Sequence, residues 1–119
     1  MVLQIAHSEV APGLVVLTLT GRVMLGPESA PIPEIVQQYV KDGKKMFIVD
    51  LAGVTHIDST GIGRFIASLN YIHRAGGKLL MASAVAQVRE GFRVTRLDTV
   101  FPFYETLDDA RSALSGLAV

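Results

Sequence analysis

The 119-residue chain contains no cysteine and has no net formal charge, because eleven basic residues balance eleven acidic ones. The absence of cysteine excludes a disulfide scaffold, a cysteine-ligated zinc and a thiol nucleophile. Because the charges balance, the chain lacks the excess of basic residues that is typical of nucleic-acid-binding proteins. The low net charge also argues against non-specific adhesion to a membrane. We therefore expect no nucleic-acid partner.

Long apolar runs are also absent. No stretch approaches the roughly 18 apolar residues that a membrane span needs, and the first residues lack the charged and apolar regions of a signal peptide. We expect a soluble cytoplasmic protein without membrane insertion. Half of the residues are nevertheless hydrophobic and 18% are charged, which excludes disorder and supplies a core for one domain over residues 1–119.

Short β-rich runs alternate with segments of helical periodicity along most of the chain. The predicted strands are Val2–Ile5, Leu14–Leu19, Met46–Leu51, Lys78–Ser83 and Thr99–Tyr104. The predicted helices are 31–40, 59–74, 85–92 and a last one that opens at Thr106. The first two strands flank the turn residues Ala11-Pro12-Gly13 and are expected to form a hairpin. Residues 52–55 are expected to form a turn and short extension, and Pro102 suggests that the last strand lies at an edge. The alternation predicts parallel crossovers and an α/β fold.

The most unusual segment joins a buried strand to the second helix and has the sequence His56-Ile57-Asp58-Ser59-Thr60-Gly61-Ile62-Gly63. Its carboxylate and two hydroxyls stand at a helix start, where several backbone N–H groups lack partners. Helix capping explains Asp58 and Ser59 without any function. It does not explain Gly61 and Gly63, since each glycine costs up to about 1 kcal/mol relative to alanine in a helix. Two glycines in the first turn indicate a backbone that another body approaches closely.

Catalytic interpretations of this segment find little support. A nucleophile elbow would need glycine where Ile57 stands, and no third glycine completes a dinucleotide loop. The histidines His7, His56 and His73 are scattered, without the clustering that a metal site needs. A small hydrolase that uses Asp58 or Ser59 remains an alternative, but no general base is visible beside the nucleophile.

Residues Val49–Gly63 resemble the signature of STAS domains, and specifically of bacterial anti-sigma-factor antagonists. In that pattern an apolar strand ends in Asp-Leu, and Asp-Ser-Ser/Thr-Gly-Leu-Gly opens the next helix after a short turn. The segments Leu17–Val23, Ala75–Leu79 and Leu107–Ala110 resemble further parts of the family pattern. The resemblance implies an α/β STAS domain, a mixed β-sheet whose helices pack chiefly on one face in a right-handed β–α superhelix.

The resemblance also implies a partner switch controlled by phosphorylation. The serine that follows the aspartate is the acceptor in the family, and it corresponds to Ser59, with Thr60 as the secondary candidate. The expected partner is an anti-sigma factor that is also a serine kinase and supplies ATP and magnesium; a serine phosphatase is a further expected partner. The chain would then be a substrate that needs no cofactor, and not an enzyme. The residues expected to contact the partner are Asp58, Gly61, Ile62, Gly63, Met24 and Arg22.

Two of these residues depart from the family pattern. Met24 stands where active antagonists commonly carry aspartate, and Arg22 stands where glutamate is common. The loop after the second strand is therefore less acidic than is usual in the family. This departure keeps a second role open, as a regulatory or scaffold subunit of a stressosome-like or transporter complex.

Overall fold

The computed structural model describes residues 2–117. It begins with an antiparallel hairpin of β1 (Gln4–Ala11) and β2 (Leu14–Val23). The predicted turn at Pro12 and Gly13 is confirmed, and the Gly13 N–H donates to the Glu9 carboxylate over 2.7 Å. The first strand is displaced from its predicted position at Val2–Ile5, because the hairpin register pairs β1 with β2 as far as the turn.

The remaining elements alternate helix and strand as predicted. They are α1 (Pro31–Lys41), β3 (Met46–Ile57), α2 (Ser59–Arg74), β4 (Lys78–Ala82), α3 (Ala86–Val94), a 3₁₀ turn (Leu97–Thr99), β5 (Phe103–Tyr104) and α4 (Leu107–Leu117). The sheet order is β1-β2-β3-β4-β5, and every pair beyond the hairpin is parallel. The prediction of an α/β fold with a mixed sheet is confirmed.

The two faces of the sheet are covered unequally. The larger core lies under α1, α2 and α3, which contribute buried side chains such as Val36, Phe65 and Phe92. The smaller core on the opposite face is closed by α4 through Ala110 and Leu114. Helices therefore pack chiefly on one face, as the family resemblance implied.

β3 is longer than the sequence indicates. Residues 52–55, predicted as a turn, continue the strand, and pairing with β2 runs to Val23 opposite Ile57. Two register shifts in this pairing, between Thr18 and Thr20 and between Gly21 and Arg22, let the strand bend without ending. The extension brings the end of β3 beside the end of β2, directly ahead of α2.

β5 is shorter than predicted and contains only two residues at the sheet edge. The edge position indicated by Pro102 is confirmed. Proline has no N–H to donate, but its carbonyl accepts a hydrogen bond from the Met81 N–H over 2.9 Å.

Candidate functional site

Asp58 caps the N-terminus of α2. Its backbone is extended, and its carboxylate accepts a hydrogen bond from the Gly61 N–H over 2.8 Å. Its own carbonyl accepts the first helical bond, from the Ile62 N–H over 2.9 Å. The capping role that the sequence suggested for Asp58 is thus present.

The second carboxylate oxygen of Asp58 extends this cap to another segment. It accepts a hydrogen bond from the backbone N–H of Leu25 over 2.9 Å, and Leu25 lies in the loop between β2 and α1. Partial burial acts to raise the pKa of Asp58, but the donated N–H groups of Gly61 and Leu25 outweigh it and hold this pKa below its ordinary value. Asp58 is therefore a carboxylate at neutral pH, and it ties the loop to the start of α2.

Ser29 and Arg64 fasten the same loop, and sequence analysis identified neither of them. Ser29 is fully buried, and its hydroxyl donates to the Met24 carbonyl over 2.8 Å. The Arg64 Nε donates to the Ser29 hydroxyl over 3.2 Å, and an Arg64 terminal nitrogen reaches the Gly26 carbonyl at 3.5 Å. A basic residue on an amphipathic helix resembles an ordinary solvated charge, so only the fold shows that Arg64 faces this loop.

Ser59 is the first residue of α2, and it is exposed, whereas Thr60 is half-buried. The Ser59 hydroxyl thus lies on the surface beside a helix N-terminus. Free N–H groups and the helix dipole favour negative charge at such a position. Of the two candidate acceptors, Ser59 is the more accessible to another protein.

Gly61 and Ile62 do not lie on the surface. A Cβ atom on Gly61 would stand 1.9 Å from the carbonyl oxygen of Val23, so the close approach predicted there is made by the chain's own strand β2. The Ile62 side chain is only 7% exposed and packs in the larger core. Both residues are therefore used in internal packing, and their contact with a partner stays a prediction.

The other predicted contacts are placed where a partner could reach them. Gly63 is exposed one helical turn after Ser59, and apart from its chain neighbours and the backbone of its own helix no atom lies within 4 Å of a would-be Cβ. Arg22 is exposed, and Met24 is half-buried next to Leu25. We call the surface formed by Arg22, Met24, Leu25, Ser59 and Gly63 the α2-start surface.

A shallow depression of about 420 Å³ lies at one side of the α2-start surface. It is lined by Val2, Leu3, Arg22, Met24, Leu25 and Glu28. Its two charged side chains have opposite signs, so the depression carries no net charge.

The site has few features of a catalytic or metal centre. Within residues 2–117 no three or more His, Asp or Glu side chains are grouped so that they could hold a metal ion. Both oxygens of Asp58 accept backbone N–H groups. The Nδ1 atom of His56 lies 2.9 Å from the Thr55 hydroxyl. The described helices also include none that is long and apolar enough to cross a bilayer.

The described part of the chain is thus a mixed α/β domain with an exposed hydroxyl and a fastened loop at the start of its second helix. The model of the STAS domain family matches residues 6–110, and the chain belongs to this family. The resemblance noted in the sequence is confirmed by this match.

Solved structures of similar fold include three proteins from different bacteria. An anti-sigma factor antagonist from Mycobacterium paratuberculosis is 24% identical, with a TM-score of 0.78 over 93% of this chain and 92% of that one. An anti-sigma-factor antagonist (STAS) domain protein from Planctomyces limnophilus is 20% identical, with a TM-score of 0.75 over 95% and 97% of the two chains. The Bacillus cell fate determinant SpoIIAA in its phosphorylated form is 16% identical, with a TM-score of 0.74 over 93% and 99%. At these identities the likeness shows a shared fold.

Proposed function

We propose that this STAS-domain protein is an anti-sigma-factor antagonist that binds an anti-sigma factor through the α2-start surface and is released when Ser59 is phosphorylated. The observation that carries the proposal is the exposed Ser59 hydroxyl at the first position of α2, beside the loop that Asp58 fastens. The names of the structures with the same fold support the same role.

In this proposal the chain is a substrate and not an enzyme. The partner kinase supplies ATP, magnesium and the base that takes the proton from the Ser59 hydroxyl. The hydroxyl oxygen bonds to the terminal phosphorus of ATP as the bond to ADP breaks. Asp58 is poorly suited to act as that base, because its two oxygens already accept backbone N–H groups and its pKa is lowered. A serine phosphatase would reverse the switch by hydrolysis.

Phosphorylation is expected to abolish partner binding while the domain stays folded. The phosphoryl group adds about −1.5 to −2 charges at pH 7. At the N-terminus of α2 the free N–H groups and the helix dipole stabilise this charge, so the domain stays folded. In an interface the same charge adds repulsion from the adjacent Asp58 and a desolvation cost, so the complex dissociates.

Phosphosite mapping tests this function. The protein is incubated with ATP and each kinase-type anti-sigma factor encoded in the same genome, and the product is analysed by mass spectrometry. We expect one phosphoryl group on Ser59, its loss in Ser59→Ala and its retention in the neighbouring Thr60→Ala control. Full labelling of Ser59→Ala would contradict the assignment of the acceptor.

One observation favours a second role, as a regulatory or scaffold subunit of a stressosome-like or transporter complex. Arg22 and Met24 replace the acids that the family resemblance leads one to expect on this surface. The two roles differ in the size of the native assembly, and both place the protein in the cytoplasm. Size-exclusion chromatography of a cell extract distinguishes a small heteromeric complex from a large or membrane-associated one.

A further inference from the structure

Leu25 is the most exposed large apolar residue within residues 2–115, with 78% of its surface open to solvent. Exposure alone does not indicate a binding site, since single apolar side chains are common on protein surfaces. The unusual feature of Leu25 is that its backbone is held firmly while its side chain is free.

The backbone around Leu25 is held at three consecutive residues. The Leu25 N–H donates to the Asp58 carboxylate over 2.9 Å. The carbonyl of Met24 accepts the buried Ser29 hydroxyl over 2.8 Å, and Arg64 approaches the carbonyl of Gly26 at 3.5 Å. The loop is therefore ordered before any partner arrives. Pre-organisation of this kind lowers the entropy cost of binding.

The position and charge of the loop indicate what would cover Leu25. Asp58 bonds both to Leu25 and to the first turn of α2, so this side chain adjoins the proposed phosphorylation site. Arg22 and Glu28 at the neighbouring depression cancel in charge, and the other two charged side chains at this loop, Arg64 and Asp58, are also of opposite sign. The surface around Leu25 thus offers a partner apolar area and no net charge to match.

We propose that Leu25 is an anchor residue that inserts into an apolar pocket of the anti-sigma factor, so that recognition through this loop is apolar and not charge-based. The proposal rests on the proposed function and specifies the chemistry of the partner at the same site. Insertion of an exposed leucine side chain into an apolar pocket removes its apolar surface from water, which favours association.

Calorimetric titration with the anti-sigma factor that phosphorylates this protein tests the proposal. Leu25→Ser is expected to weaken binding about 30-fold, the effect of removing a hot-spot side chain. Leu25→Ala is a second variant that also keeps the backbone N–H donated to Asp58. Val10→Ser is the matched control, because Val10 is another exposed apolar residue, 42% accessible, near the hairpin turn at the opposite end of β2. The control is expected to bind like the wild type.

A salt titration examines the apolar character of the contact. We expect the affinity to change less than about threefold between about 50 and 500 mM sodium chloride, because salt screens charge pairs and not apolar contacts. A loss of tenfold or more would overturn the apolar contact.

The remaining outcomes separate this proposal from the function on which it rests. If the wild type binds none of the anti-sigma factors, the proposed function fails. If it binds tightly and both Leu25 variants bind equally well, only the anchor is overturned. If ultracentrifugation shows a homodimer that Leu25→Ser abolishes, the occupant is a second copy of this chain, which also overturns the proposal.

Discussion

At the scale of single residues, one carboxylate joins two segments that are far apart in sequence. Asp58 caps α2 through the Gly61 N–H and holds the loop through the Leu25 N–H. A side chain with both functions is difficult to replace, because no neutral side chain of its size accepts two such bonds equally well.

Substitution of Asp58 should lower stability in a graded way. Asp58→Ala removes the helix cap and leaves the Leu25 N–H without its acceptor, so we expect a loss of about 1–2 kcal/mol. Asp58→Asn keeps one carbonyl acceptor and should lose less. Urea unfolding followed by circular dichroism at neutral pH measures the order, and equal stability of all three proteins would contradict the double contact.

The lowered pKa of Asp58 predicts how this difference varies with pH. A carboxyl group whose pKa is lower in the folded state adds stability above its unfolded pKa, and that stability is lost as pH falls through the folded value. The advantage of the wild type over Asp58→Asn should therefore shrink as the pH falls below about 4, near the unfolded pKa of aspartate. A difference that stays constant from neutral pH to pH 3 would show that ionisation of Asp58 contributes nothing.

The two glycines in the first turn of α2 should respond in opposite directions. Gly61→Ala places a methyl group 1.9 Å from the Val23 carbonyl oxygen, and we expect a loss of about 1–3 kcal/mol. Gly63→Ala meets open space and should raise stability by up to about 1 kcal/mol. Thermal denaturation compares the two directly. If Gly63→Ala is more stable but binds the partner less tightly, the exposed face of α2 is part of the interface.

At the scale of elements, α4 differs from the other helices because it packs on the opposite face of the sheet. It begins at the predicted place, and Thr106 caps its N-terminus, since the Asp109 N–H donates to the Thr106 hydroxyl over 3.0 Å. Its buried residues Ala110 and Leu114 cover apolar side chains of β2, β3 and β4. The small core on this face therefore depends on a single helix.

Leu114→Ala should test the contribution of α4. Truncating a buried leucine removes apolar contacts and leaves a cavity, which costs about 2–5 kcal/mol. The neighbouring Ser115→Ala is the control, since Ser115 is exposed and such changes stay within about 0.5 kcal/mol. Chemical denaturation measures both variants. A change in Leu114→Ala no larger than that of the control would mean that α4 contributes little to stability.

At the scale of the whole molecule, the proposed switch requires a change of charge that leaves the fold intact. Ser59→Asp introduces a carboxylate at the exposed first position of α2, where the helix dipole tolerates acids. We expect an unchanged circular dichroism spectrum and weaker partner binding by calorimetry. The effect should be smaller than that of phosphate, since aspartate carries about half its charge. Unchanged affinity would contradict the switch, and so would loss of the fold.

The sequence alone determined the class of fold and indicated the candidate site, because both depend on local patterns. Apolar periodicity and the turn residues placed β4 and the helices α1 and α2 close to their observed bounds, and they placed the start but not the end of β2, which continues from Leu19 to Val23. Asp58 was identified as a cap from its residue type. The position of Ser59 as the first residue of α2 follows from the same local pattern.

The tertiary structure decided which of the site residues face outward and which serve packing. Gly61 lies against the Val23 carbonyl, and Ile62 enters the core, because the bends in β3 bring the ends of β2 and β3 together over α2. The fastening of the loop by Ser29 and Arg64 joins residues 35 positions apart. Local periodicity does not predict such contacts, since they form only when the sheet register and the helix packing bring distant residues together.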